Sequence, residues 1–100
     1  MSRPSIPRGD CQVPAGADHL TISRRDYQRA QTAIRRGEAR PLDEIVKLTR
    51  KSHPGQPVSV GFSTSGPEPI YQIQIVTRSG TVISVTVAAR SGRILKARTC

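Results

Sequence analysis

The sequence predicts an α+β domain: two N-terminal helices followed by a three- to four-stranded antiparallel meander, with helix two packed on its apolar face. Three observations carry this reading. Residues 23–52 hold two stretches of helical periodicity with start and stop signals. Residues 58–97 alternate apolar with polar side chains. Arg-Ser-Gly occurs twice, at 78–80 and 90–92, on either side of one such run. The length of 100 residues is one domain's worth, and 35% hydrophobic content with three aromatics (Tyr27, Phe62, Tyr71) leaves the core to Val, Ile and Leu.

Residues 1–20, MSRPSIPRGDCQVPAGADHL, are rich in Pro, Gly and Arg and predict an extended or disordered basic arm. They lack the apolar run of a signal peptide, so either the protein is not exported or a leader has been removed. Residues 21–39 form the lead-in helix. Ser23 can cap it with Asp26 three positions on, and Gly37 can end it. Tyr27, Ala30 and Ile34 share a thin apolar stripe, while Arg25, Arg29 and Arg36 lie opposite, which predicts a position on the rim. Residues 40–98 make the main domain.

Its helix runs from about Pro41 to Ser52. Proline suits the first helical position, Asp43 and Glu44 suit the positive amino end, and Lys47, Arg50 and Lys51 suit the carboxyl end. Leu42, Ile45, Leu48 and Thr49 form the buried arc with Val46 at its margin, and Pro54-Gly55 ends the helix after His53. His53 fits a dipole-facing role better than a catalytic one.

The strands follow. Val58, Val60 and Phe62 alternate with small or polar residues, and residues 65–69 (SGPEP) form a loop. Tyr71, Ile73 and Ile75 share one face, as do Ile83, Val85 and Val87, and Ile94 to Ala97 can form a short last strand. A two-residue loop at Ser79-Gly80 would set Ile73 and Ile75 against Thr86 and Ser84. A three-residue loop at Arg78-Ser79-Gly80 instead pairs Ile75 with Ile83, Ile73 with Val85, and Tyr71 with Val87, giving one apolar face. Glycine then stands at the left-handed third position. The same loop at Arg90-Ser91-Gly92 pairs Val87 with Leu95 and Val85 with Ala97. Both repeats are therefore chiefly turns, with exposed arginines.

The net charge of +9 is unevenly placed: after Glu68 come Arg78, Arg90, Arg93, Lys96 and Arg98 and no acid. Such a surface attracts an acidic protein, anionic lipid or nucleic acid. Arg90 and Arg93 flank one turn and, with Lys96, are the candidate partner-binding residues. Nucleic acid is the weaker reading, because the sheet offers no ladder of exposed aromatics for stacking. Cys11 and Cys100 could form a disulfide in an oxidising compartment or stay as separate thiols. With His19 and His53 they match no zinc spacing, so no metal is expected. No GxSxG, HExxH or P-loop motif is present, no apolar run is long enough to span a membrane, and nothing suggests a catalytic residue, cofactor or small-molecule ligand.

The segment RPLDEIVKLTRKSHPGQPVSVGFSTSGPEPIYQIQIVTRSGTVISVTVAARSGRILKA resembles a PepSY domain, over residues 40–97. The resemblance rests on Pro41-Leu42-Asp43-Glu44, the Pro54-Gly55 stop, Tyr71-Gln72-Ile73 and, most specifically, Val85 to Leu95. Family members commonly carry Asp where Ala88 stands and Thr where Ser91 stands. DYQRAQTAIRRGEA looks like the helical lead-in of small stand-alone bacterial PepSY proteins. The resemblance implies a helix on an antiparallel sheet outside the cytoplasm, periplasmic or secreted, with any signal peptide absent from this sequence. It also implies a non-catalytic module that regulates or inhibits an envelope peptidase or a sensor protein such as a sensor kinase. The alternative is a basic domain that binds nucleic acid or an anionic membrane surface.

Overall fold

A computed structural model of the protein describes residues 20–99. The expected N-terminal arm, apart from its last residue Leu20, and both cysteines of the suggested Cys11–Cys100 bridge lie outside the described residues. The elements are β1 (Thr21–Ile22), α1 (Arg24–Arg35), α2 (Leu42–Ser52), β2 (Gln56–Ser63), β3 (Ile70–Val76), β4 (Val82–Ala88) and β5 (Ile94–Thr99). The sheet order is β1-β2-β3-β4-β5, with β1 parallel to β2 and every other pair antiparallel. The sheet thus has five strands rather than three or four. Sequence reading misses β1 because a two-residue strand is too short to show alternation.

Ser23 caps α1, its Oγ accepting from the Asp26 amide at 3.1 Å. Gly37 ends the helix at φ +74°, which lets the Glu38 amide turn back to the Ala33 carbonyl at 2.8 Å. The buried face differs from the expected stripe. Ala30 and Ala33 are buried while Tyr27 is 48% exposed. The cause is Asp26, whose carboxylate accepts the Phe62 amide at 3.2 Å. Strand β1 pairs only with Ser59 and Val60, so the edge of β2 lacks a strand partner at Phe62. Turning Asp26 toward that amide rotates the alanines onto β2, and their small size lets the helix approach. Helix α1 is therefore part of the core layer rather than only its rim.

In α2, Pro41 is the N-cap rather than the first helical residue. Its ψ of 146° is extended, and its carbonyl still accepts the Ile45 amide at 3.1 Å. Ile45 and Thr49 are fully buried, with Leu42, Val46 and Leu48 half-buried around them. The Thr49 hydroxyl avoids a desolvation penalty by donating to the Ile45 carbonyl at 2.8 Å. Both helices cover one face of the sheet. That face joins Val60, Phe62, Tyr71, Ile73, Ile75, Val85 and Val87 into one core with Ala30, Ala33 and Ile45. On the opposite face Gln72 donates to Ser84 Oγ at 3.1 Å and Ser59 donates to Gln74 Oε1 at 2.8 Å.

The first hairpin has the expected register: Ile75 faces Ile83, Ile73 faces Val85, and Tyr71 faces Val87. Gly80 has φ +91°, and its amide donates to the Thr77 carbonyl at 2.9 Å. The second hairpin differs by one step. Val85 pairs with Ala97 as expected, but Val87 pairs with Ile94, and Leu95 is left as the extra residue, 45% exposed. The reason lies in Ala89. Its amide donates to the Pro69 carbonyl at 3.0 Å and its carbonyl accepts from the Arg40 amide at 2.7 Å, so it cannot pair with Arg93. The turn begins a residue early, and a β-bulge at Leu95 restores the register before Ala97.

Candidate functional site

The turn between β4 and β5 carries Arg90 and Arg93, and the sequence explains why it is rigid. Gly92, at φ +79°, donates its amide to the Ala88 carbonyl at 2.8 Å, and the Ala88 amide donates to the Arg93 carbonyl at 2.8 Å. Ser91 Oγ accepts the Arg93 amide at 3.2 Å. Positive φ favours glycine at 92, and the close packing on α2 adds to it. A β-carbon there would sit 2.8 Å from Leu48 Cδ1, so the turn packs flush on α2 as well as adopting positive φ.

Arg40 ties this turn to the entry of α2. Its Nε donates to the Arg90 carbonyl at 3.1 Å, and its Nη1 pairs with Glu44 Oε2 at 2.9 Å. Its own carbonyl accepts from the Tyr71 hydroxyl at 2.9 Å. Burial pushes the Tyr71 phenol up to about 12, so it remains a neutral donor throughout the physiological range. Sequence reasoning missed Arg40, which lies fifty residues from its turn partner. Nothing local in the sequence signals such a contact.

Arg90, Arg93 and Lys96 are all exposed. Arg90 and Arg93 flank the turn as expected, and Arg40 adds a third guanidinium beside them. Lys96 lies farther along β5, opposite Thr86, so it faces away from the helices rather than joining the turn. Arg78 sits at the other end of β4, in the β3–β4 loop.

The arrangement sets the exposed Arg90 and Arg93 beside Arg40, whose guanidinium is held by Glu44 and the Arg90 carbonyl, and among the described residues it contains no nucleophile–base pair. Asp26, beside a small depression with Gly61, Ser63 and Gln72, is engaged by the Phe62 amide. Among the described residues no three His, Cys, Asp or Glu side chains come together in a way that could hold a metal ion. None of the described helices is long and apolar enough to cross a membrane.

Two helices laid on one face of a meander sheet, with a basic turn locked at one end, define an α+β module that presents a surface rather than an enclosed site. Residues 41–98, more than half the chain, match the PepSY family, described as peptidase propeptide and YPEB domain; the chain belongs to this family. PepSY domains are generally propeptide or inhibitor-like modules without catalytic groups, and they are typically extracytoplasmic. Comparison with curated proteins and with solved structures returned no match.

Proposed function

We propose that this chain is a non-catalytic regulatory or inhibitory module of the bacterial envelope, periplasmic or secreted, that docks on an acidic surface of a peptidase or sensor protein. The observation that carries the reading is the locked turn, in which Arg40 donates to the Arg90 carbonyl and Arg90 and Arg93 remain exposed. Guanidinium groups on a preorganised turn lose little backbone freedom on binding, so more of their attraction to carboxylates is realised as affinity. Family membership supplies the class of partner, and the acid-free stretch after Glu68 supplies its charge.

The test is capture from an envelope fraction on immobilised protein, followed by association kinetics with the captured partner. Arg90→Glu combined with Arg93→Glu should slow association by roughly tenfold or more and flatten its salt dependence, with the thermal transition unchanged. Unchanged rate and affinity in that variant would sink the reading. A salt-sensitive gel shift with duplex or single-stranded DNA, tighter than any envelope protein, would replace it with the nucleic-acid alternative.

A further inference from the structure

We infer that the trough between the carboxyl end of α2 and the β3–β4 loop is a second docking site, one that takes an acidic, extended protein segment. This rests on the protein-binding reading above but uses a different surface, at the far end of β4 from Arg90 and Arg93.

Two adjoining depressions, of about 450 and 580 Å³, share Arg50, Pro54 and Gly55 and together form the trough. Lys47 and Lys51 line one part and Arg78 lines the other. Its walls also include Val46, Pro54 and Val76, so apolar surface lies between the cations. Gly55 makes this shape possible. The chain leaves α2 flush against β3, and a β-carbon at 55 would lie 2.6 Å from Ile75 Cγ2.

Arg50 and Lys51 have a structural explanation, because bases stabilise the negative end of a helix. Arg78 has none. It arrives from a separate hairpin, in a loop held by Gly80 and by the Thr77, Ser79 and Thr81 hydroxyls rather than by its own side chain, and it joins a trough that already holds three bases. Among the described residues no carboxylate pairs with any of the four, and Asp43 is the one acid along the trough. Like charges gathered this way repel until an anion enters between them.

The recess favours a chain over a flat membrane, which a sunken floor cannot reach. No aromatic side chain lines it to stack a base. An extended peptide presents alternate side chains to opposite sides, so acidic residues can meet the rim while apolar ones meet Val46 and Val76.

The probe is a synthetic peptide alternating Glu and Val, titrated into isotope-labelled protein with amide shifts as the readout. Amides of Gly55, Val76, Thr77 and Arg78 should move, less so as salt rises, and the Gln-for-Glu peptide should leave them still. Arg50→Gln with Arg78→Gln should weaken binding about tenfold, while Arg90→Glu with Arg93→Glu should bind the peptide as the parent does. If the first pair compromises folding, Lys47→Gln with Lys51→Gln serves the same purpose. Equal binding of the Gln peptide, shifts confined to other surfaces, or an unaffected Arg50/Arg78 variant would each overturn the site. So would tighter engagement of the trough by phosphatidylserine-containing vesicles or by a single-stranded oligonucleotide. A captured envelope partner that depends on Arg90 and Arg93, with no peptide binding at the trough, would remove this site and leave the broader reading standing.

Discussion

The hydroxyl of Tyr71 donates a 2.9 Å hydrogen bond to the carbonyl of Arg40, joining the centre of β3 to the residue that leads into α2. The ring is fully buried, with the Phe62 ring centroid 5.1 Å away. Burial raises the phenol to about 12. Below about pH 10, the ordinary tyrosine value, both folded and unfolded chains keep the proton, so the group adds no pH dependence. Above that value the unfolded chain releases a proton the folded chain retains. Stability should therefore fall as pH rises from about 10 to 12, by at most about 1.4 kcal/mol per pH unit. Tyr71→Phe should cost about 1–2 kcal/mol near neutrality, because the Arg40 carbonyl loses this donor, and should abolish that part of the alkaline decline. Denaturant titrations of both proteins across this range should show their stabilities converging as pH rises. A constant gap would refute the buried neutral phenol.

The two turn glycines should differ, and their surroundings predict the order. Gly80 has φ +91° with nothing within 4 Å of an added β-carbon, so Gly80→Ala should cost only the backbone strain, about 1 kcal/mol. Gly92 carries the same strain at φ +79° and adds the approach to Leu48 Cδ1. Gly92→Ala should therefore cost more, by about 1 kcal/mol or less beyond Gly80→Ala, because the Leu48 methyl ends a half-buried side chain that can turn aside. Urea midpoints in the reverse order would mean the second turn does not pack on α2.

Asp26 substitutes for a missing strand. Its carboxylate accepts the Phe62 amide where β1 has already ended. Asp26→Ala should cost about 1–3 kcal/mol and should speed hydrogen exchange at Phe62 more than at Val60, which β1 flanks. Asp26→Asn should cost less, because its amide oxygen can still accept. Equal exchange rates at Phe62 in parent and alanine variant would remove the carboxylate from this role.

These residues also mark where the sequence was legible. The register of β3 on β4 could be read in advance because only one loop length aligns Ile73, Ile75, Ile83 and Val85 on a single face. The capping of α1 by Ser23 was legible because it is local. The bulge at Leu95 was not, because the two bonds that occupy Ala89 come from Pro69 and Arg40, distant in sequence. Likewise the alanine face of α1 depends on Asp26 finding an edge amide of β2, and periodicity cannot rank Tyr27 below Ala33 without that contact. At the basic turn, Arg90 and Arg93 could be named from spacing, whereas Arg40 could not. That Arg50 and Arg78 line one depression likewise depends on how the end of α2 meets the β3–β4 loop, a tertiary fact.

Arg40 supplies the last prediction, because it separates the rigidity of the basic turn from its charge. Its backbone amide bonds to the Ala89 carbonyl whatever the side chain, so the fold should survive substitution. Its Nε bond to the Arg90 carbonyl is exposed and joins only the turn, and its pairing with Glu44 is a surface contact worth little. Arg40→Met keeps much of the aliphatic stem that lies 3.5 Å from where a β-carbon on Gly92 would sit, while removing both polar contacts. Its unfolding free energy should change by less than about 1 kcal/mol. Hydrogen exchange and backbone order parameters at Arg90 to Arg93 should nevertheless report a looser turn, with no change at Gly80. Association with the envelope partner should slow slightly from the lost charge, and dissociation should quicken from the lost preorganisation. If turn dynamics and dissociation are both unchanged, the Arg40–Arg90 contact does not organise the site, and charge alone explains whatever Arg90 and Arg93 contribute.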